Sequence, residues 1–199
     1  MSLGDVSIGL LKVVLVVHTS PVSHTVAGVR RAEHTVEAEA PTGVNSIVLA
    51  WCDDEDGFDP VAVTGDPHVV GYRVEERVQW DLGPPPPART RISFVRRRPS
   101  LTREQFADHW ANVHAPLARR HHPGLWRYVQ NIVISPLTTD APEVDGIAEL
   151  GFRTADELRD RMYDSPDGMR VIRDDVGRFI DVGAGWRAVT RSSSPQASP

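Results

Sequence analysis

The sequence predicts an α+β fold assembled from antiparallel sheets, and three observations carry that prediction. Four consecutive prolines after Gly83 divide the chain of 199 residues into two parts. Beyond them, strand-like segments alternate with helix starts marked by capping side chains. Before them, short stretches echo pieces of the second part in the same order.

In the second part, Ile92–Arg97 alternates Ile92 and Phe94 with Ser93 and stops at Pro99, as a short strand does. Thr102 then caps a helix, with Gln105 three residues on to complete a capping box and Leu101 and Phe106 at the two staple positions. Phe106, Trp110, Val113 and Leu117 form one apolar stripe, and Pro116 is expected to kink or shorten the last turns. After His122-Pro123-Gly124, Leu125–Ile134 reads as a long strand and Gly146–Phe152 as its successor. A second helix starts at Thr154, where Glu157 offers another capping box, and restarts at Ser165-Pro166. Met169, Ile172, Val176, Phe179 and Ile180 follow at helical spacing, and Gly185–Val189 resumes a strand. The order β-α-β-β-α-β over residues 91–190 is that of a ferredoxin-like domain.

The first part repeats pieces of this order. Gly28-Val29-Arg30-Arg31 echoes Gly124-Leu125-Trp126-Arg127, Ile47–Trp51 echoes Ile147–Gly151, and Gly71-Tyr72-Arg73-Val74 echoes Gly185-Trp186-Arg187-Ala188. There is no room for a three-turn helix between Val17 and Gly28, and only a short one fits between Asp53 and His68. The expected organisation is therefore tandem ferredoxin-like repeats: residues 1–82 a mostly β copy with reduced helices, 83–90 a proline-rich linker, 91–190 the full copy, and 191–199 a disordered tail. Two such sheets can pair within one chain and hide their edges, although self-association as a homodimer stays open.

Composition excludes several functions. A net charge of −5, with 22 basic against 27 acidic residues, gives no field that would draw the chain to nucleic acid. Ile8–Val17 is too short and too interrupted by Lys12 to span a bilayer, and it lacks the positive start of a signal peptide, so it is expected to be a buried strand and no membrane partner is expected. Cys52 is the only cysteine, which rules out an internal disulfide and fits a cytoplasmic location.

The stretch Arg97-Arg98-Pro99-Ser100-Leu101-Thr102-Arg103-Glu104-Gln105-Phe106, with His109-Trp110 and Val113-His114-Ala115-Pro116-Leu117, resembles the EthD domain family. Arg127–Asn131, Asp145–Leu150, Ser165–Gly168 and Phe179–Asp181 extend the likeness over about 100 residues in the right order. The resemblance implies the dimeric α+β-barrel version of the ferredoxin-like fold and a small hydrophobic or aromatic molecule as ligand. Family members are associated with ether degradation, and relatives include lactone isomerases and fungal polyketide dehydratases or decarboxylases, most of which need no cofactor; none is expected here. The whole N-terminal half departs from single-copy members.

His114 matches the family's most recognisable histidine. With Phe106 at zero and roughly 100° per residue, His109 falls at about −60° and His114 at about +80°, flanking the stripe. Imidazoles at such a border can hold a pKa suited to proton transfer. Their spacing of five does not suit chelation from one helix face, so no metal site is expected. His121-His122 reads as a solvated basic turn beside Arg119 and Arg120. Tyr128 could donate to a substrate carbonyl and Asn131 could orient a ligand, but residues three apart in a strand face opposite ways unless a bulge intervenes. Glu149, among Ile147, Ala148 and Leu150, is either paired, with Arg127 available, or a proton carrier. Trp110, Trp126, Tyr128 and Trp186 are core by default, and some could line an apolar pocket. The leading expectation is a cofactor-independent lyase or isomerase that moves a proton on a small cyclic or aromatic carbonyl compound, with His114 as acid or base and His109 assisting. A metal-free or haem-linked monooxygenase and a non-catalytic ligand-binding module are the alternatives.

Overall fold

The computed structural model of the chain describes residues 11–19, 26–53 and 57–192. Its first four strands are β1 (Leu11–Val17), β2 (Val29–Ala38), β3 (Ser46–Cys52) and β4 (Val70–Asp81), with a short helix α1 (Pro60–Thr64) before β4. The second four are β5 (Arg89–Val95), β6 (Arg127–Pro136), β7 (Gly146–Phe152) and β8 (Trp186–Ser192). Between β5 and β6 run α2 (Arg103–His109), a π-helical turn (Trp110–His114) and α3 (Ala115–His121); between β7 and β8 run α4 (Ala155–Asp160) and α5 (Pro166–Phe179). All strand pairs are antiparallel, and the eight close into one barrel in the order β1-β3-β2-β8-β5-β7-β6-β4. In both halves the spatial order is fourth, first, third, second.

Several sequence expectations need adjusting. β5 begins at Arg89, inside the expected linker, and β8 runs to Ser192, into the expected tail. Both extensions come from pairing, since Arg89 lies opposite Phe152 and Arg191, and Ser192 lies opposite His34. Residues 8–10 of the expected first strand and 193–199 of the expected tail lie outside the described residues. Pro116 does not shorten its helix. The π turn ahead of it changes the bonding register, with the Ala115 N–H reaching back to the Trp110 carbonyl, and the helix continues to His121.

The helix starts follow local chemistry. Thr102 accepts from the Gln105 N–H while the Gln105 side chain accepts from the Thr102 N–H, a complete capping box. Thr154 caps α4, but the Glu157 carboxylate takes the Arg153 N–H and guanidinium instead of returning to the cap. Ser165 caps α5 with proline in its first turn.

Strand alternation separates two faces. Val14, Val16, Ile47, Leu49, Tyr72, Ile92 and Ile147 fill the barrel interior. The outer face of the first half is covered by Val63 of α1 with Val69 and Phe58, and that of the second half by α2–α5 through Phe106, Trp110 and Phe179. Gly146 permits the last arrangement, because a Cβ there would lie 2.3 Å from the Trp110 ring.

The interior also holds charge. Lys12, the only lysine in the sequence, is 1% exposed, and its Nζ sits 2.6 Å from both Glu76 Oε1 and Glu149 Oε1. Glu149 further accepts from Arg127 Nη1 at 3.0 Å and Asn131 Nδ2 at 2.8 Å. Burial alone would raise the Glu149 carboxyl, but the charges of Lys12 and Arg127, with the hydrogen bonds from Lys12 and Asn131, bring it down to about 2. Lys12 belongs to the first half and Glu149 to the second, so this pair ties the two sheets across the interior. At the β2–β8 seam, Glu37 pairs with Arg89 and Arg191, and Glu39 with Arg91 and Arg187.

Because Lys12 is the chain's one lysine, its burial has a direct readout. In native protein an amine-acylating reagent is expected to leave Lys12 unmodified while labelling it fully in urea, as read by peptide mass spectrometry. Rapid native labelling would show that the ammonium is open to solvent.

Candidate active site

A cavity of about 260 Å³ lies between the outer face of the second half-sheet and its helices. Ser93, Tyr128, Ala148 and Leu150 form its floor, His114, His122, Ile172 and Val176 its roof, and Trp110 and Trp186 line it further. Small side chains at Ser93 and Ala148 leave the space that larger residues would fill.

His114 enters this cavity because of the π turn. A wider turn inserts one residue into the helical count, so the buried stripe runs Phe106, Trp110, His114, Ala118 in place of the expected Phe106, Trp110, Val113, Leu117. Val113 is accordingly turned outward, at 41% exposed. The same shift brings His109 and His114, five residues apart, onto a common partner. His109 Nε2 is 2.9 Å from Asp175 Oδ1, and His114 Nδ1 is 2.9 Å from Asp175 Oδ2.

Asp175, on α5, is 2% exposed. Burial pushes its carboxyl upward, but hydrogen bonds from His114 and His109 outweigh this and hold it below the usual range. An ionised carboxylate only accepts, so both facing ring nitrogens carry hydrogen. His114 is thereby fixed with Nδ1 donating to Asp175 and Nε2 left for the cavity that it lines. His109 does not line the cavity; it stacks near Phe179 and supports the carboxylate from behind. Asp175 went unrecognised in the sequence. The signal was there, since it falls three residues after Ile172 and four before Phe179, an acid within the apolar stripe of its helix.

Tyr128 is placed beside this pair. Its hydroxyl accepts from Trp110 Nε1 at 2.8 Å and from Gln130 Nε2 at 3.3 Å, which occupies its acceptor side and leaves its own proton to donate. Burial raises its pKa to about 12, with the Asp175 charge adding to that, so it stays a phenol.

His122 departs from the expected solvated turn. It is 6% exposed, its Nδ1 donates to the Met162 carbonyl, and its ring packs near Tyr163. Burial lowers its pKa to about 4, so it presents a neutral imidazole to the cavity. His121 is half-buried and pairs with Asp164, so it too is less solvated than expected. Asn131 and Glu149 are on the other face of the sheet, in the barrel interior with Lys12, because no bulge interrupts the alternation between Tyr128 and Asn131. Of the sequence candidates, the structure thus gathers His114, His109 and Tyr128 and separates Asn131 and Glu149 from them. Trp126 is also elsewhere, stacked under Arg153. Among the described residues no group of three or more His, Cys, Asp or Glu is placed to hold a metal ion, and no helix is long and apolar enough to cross a membrane.

Residues 98–183, which carry both His114 and Asp175, match the EthD domain family. Over the whole barrel the chain is similar to the solved structure of an anthrone oxidase-like protein, at 12% identity and a TM-score of 0.60, covering 94% of this chain and 92% of that one. It is also similar to a presumptive monooxygenase from Lactobacillus acidophilus NCFM, at 7% identity and a TM-score of 0.55, covering 92% and 94%. Both likenesses therefore extend beyond the EthD segment to the N-terminal half-barrel. No curated protein matches.

The buried histidines set an acid limit on the fold. His34 in the barrel and His122 in the cavity both fall from 6.5 to about 4, chiefly through burial. The unfolded chain then binds more protons than the folded one below pH 6.5, so this stability is complete above 6.5 and is lost as pH falls toward 4, by at most about 3 kcal/mol for each histidine. Thermal midpoints measured from pH 8 to pH 4 should fall mainly in that window, and His122→Gln should make the fall shallower. A flat profile across it would contradict the burial of both rings.

Proposed function

We propose that this chain is an enzyme that removes a proton from a small cyclic or aromatic carbonyl compound. The observation that carries the proposal is the Asp175-oriented His114 on an aromatic-lined cavity that also holds a phenolic donor. His114 Nε2 accepts a proton from the carbon next to the carbonyl, or from a ring methylene whose anion delocalises onto the carbonyl oxygen as in an anthrone, and the ionised Asp175 stabilises the resulting imidazolium. Charge moves to the carbonyl oxygen, where the Tyr128 hydroxyl donates to the developing oxyanion. Return of the proton to a different carbon gives an isomerase, and loss of a leaving group from the neighbouring carbon gives a lyase.

A second reading draws on the anthrone oxidase-like and monooxygenase neighbours. The same carbanion can react with dioxygen: in an anthrone-type substrate the methylene becomes a second carbonyl, one oxygen atom enters the product and the other leaves as water. A haem-linked version fits poorly. At about 260 Å³ the cavity is below the ~300–1,000 Å³ common for drug-sized ligands, and a porphyrin is larger than its space. The shared strand order also supports reading the chain as two repeats, one built on β1–β4 and one on β5–β8, with the second carrying the site.

The base has a specific test. In D₂O the parent chain is expected to speed exchange of the acidic C–H of anthrone or of a cyclic ketone, followed by NMR, while oxygen uptake is recorded in parallel. His114→Asn should lower the exchange by roughly 10²–10⁴-fold with folding retained. Asp175→Asn should lower it as well, because the amide no longer fixes the ring. Equal exchange by parent and His114→Asn would overturn the assignment, and oxygen uptake that tracks exchange would select the second reading.

A further inference from the structure

The cavity has a charged end that proton transfer from carbon does not use. Arg91, on β5, and Arg187, on β8, both line it. Arg91 is the inner of the two, its side chain 20% exposed against 55% for Arg187. Their counter-charge is Glu39, which pairs with Arg187 through Nε and stands 3.6 Å from Arg91 Nη2. One carboxylate therefore serves two guanidinium groups. Arg91 Nε is buried and has no hydrogen-bond partner among the described residues. A buried guanidinium N–H without an acceptor is costly, and a planar carboxylate is the group whose geometry matches it side-on.

Glu39 itself is unusual. It follows β2 and has φ 64, the left-handed region that side chains other than glycine and asparagine rarely adopt. It comes from the first half of the chain, so the N-terminal half-barrel reaches the rim of a cavity otherwise built by the second half. Burial, and after it the charge of Arg187, lower the pKa of Arg91, with Glu39 and Tyr163 opposing.

We propose that the substrate is an aromatic carboxylate, whose carboxylate pairs with Arg91 and takes the place of Glu39 while its ring occupies the aromatic part of the cavity. This rests on the reading of the cavity as the substrate site, and it adds the substrate class. Neutral His122, near Arg91 in the same cavity, then presents an acceptor nitrogen to a hydroxyl on the same ring.

Calorimetric titration with 2-naphthoate, its neutral amide 2-naphthamide and 2-naphthol tests this without turnover. The parent chain is expected to bind the carboxylate at least tenfold more tightly than the amide or the naphthol. Arg91→Gln, with its thermal midpoint checked, should remove that preference. Glu39→Gln should strengthen carboxylate binding several-fold by removing the competing anion, which gives a gain that misfolding cannot mimic. Equal binding of acid and amide by the parent, tighter binding of the naphthol, a preference that survives Arg91→Gln, or unchanged affinity in Glu39→Gln would each overturn the proposal. Such a failure leaves the proton-transfer reading standing, whereas lost exchange chemistry with the preference intact sinks that reading alone.

Discussion

The barrel depends on neutralising one buried ammonium. Lys12 is held by Glu76 from its own half and by Glu149 from the other, and Glu149 is in turn held by Arg127 and Asn131. Removing one member of such a network leaves an uncompensated buried charge, at a cost on the order of 3–5 kcal/mol, whereas the intact network adds little net stability. Its value is registry. Lys12 meets Glu149 only if β1 and β7 face each other across the closed interior, so a sheet that slipped by one residue would turn these charges outward and apolar residues with them.

Closure of the interior also fixes what the outer face can do. With its inner side filled by Ile92, Phe94 and Ile147, the second half-sheet is a rigid floor against which α3 and α5 are set. The cavity exists because that floor carries Ser93 and Ala148 where larger residues would fill the gap. The first half-sheet is covered differently: Val63, Val69 and Phe58 pack directly onto Val13, Leu15 and Val48, and the hollow of about 220 Å³ beside them, near Val29 and Cys52, holds no histidine among the described residues. The two halves therefore differ in what lies on their outer faces, and only the second carries the cavity lined by His114 and His122.

Much of this was legible in the sequence, for local reasons. Capping boxes and proline positions are read within four residues, so the starts of α2, α4 and α5 were accessible from Thr102, Thr154 and Ser165-Pro166. Strand segments bounded by glycine and proline were accessible in the same way. What escaped depended on geometry at longer range. The π turn changes the angular count by one residue, so a calculation at constant pitch placed His109 and His114 on opposite sides of a stripe when both in fact meet Asp175. His122 looked like part of a solvated turn because its burial is created by Met162 and Tyr163, about forty positions away. Asn131 was grouped with Tyr128, although strand alternation already pointed it to the other face, and Glu149 took the paired form of its two readings, with Lys12 joining Arg127.

Asp175 ties the helix distortion to the wall of the cavity. A carboxylate inside an apolar helical stripe is unfavourable unless donors meet it, and here both donors come from a helix that reaches them only by widening its own turn. The distortion at Trp110–His114 and the acid in α5 therefore account for each other: without Asp175 the π turn would bring two imidazoles together against an apolar wall, and without the π turn Asp175 would lose one of its two partners. Such reciprocal dependence, concentrated at one wall of the cavity, is how a fold retains a locally costly arrangement that fixes the orientation of an imidazole.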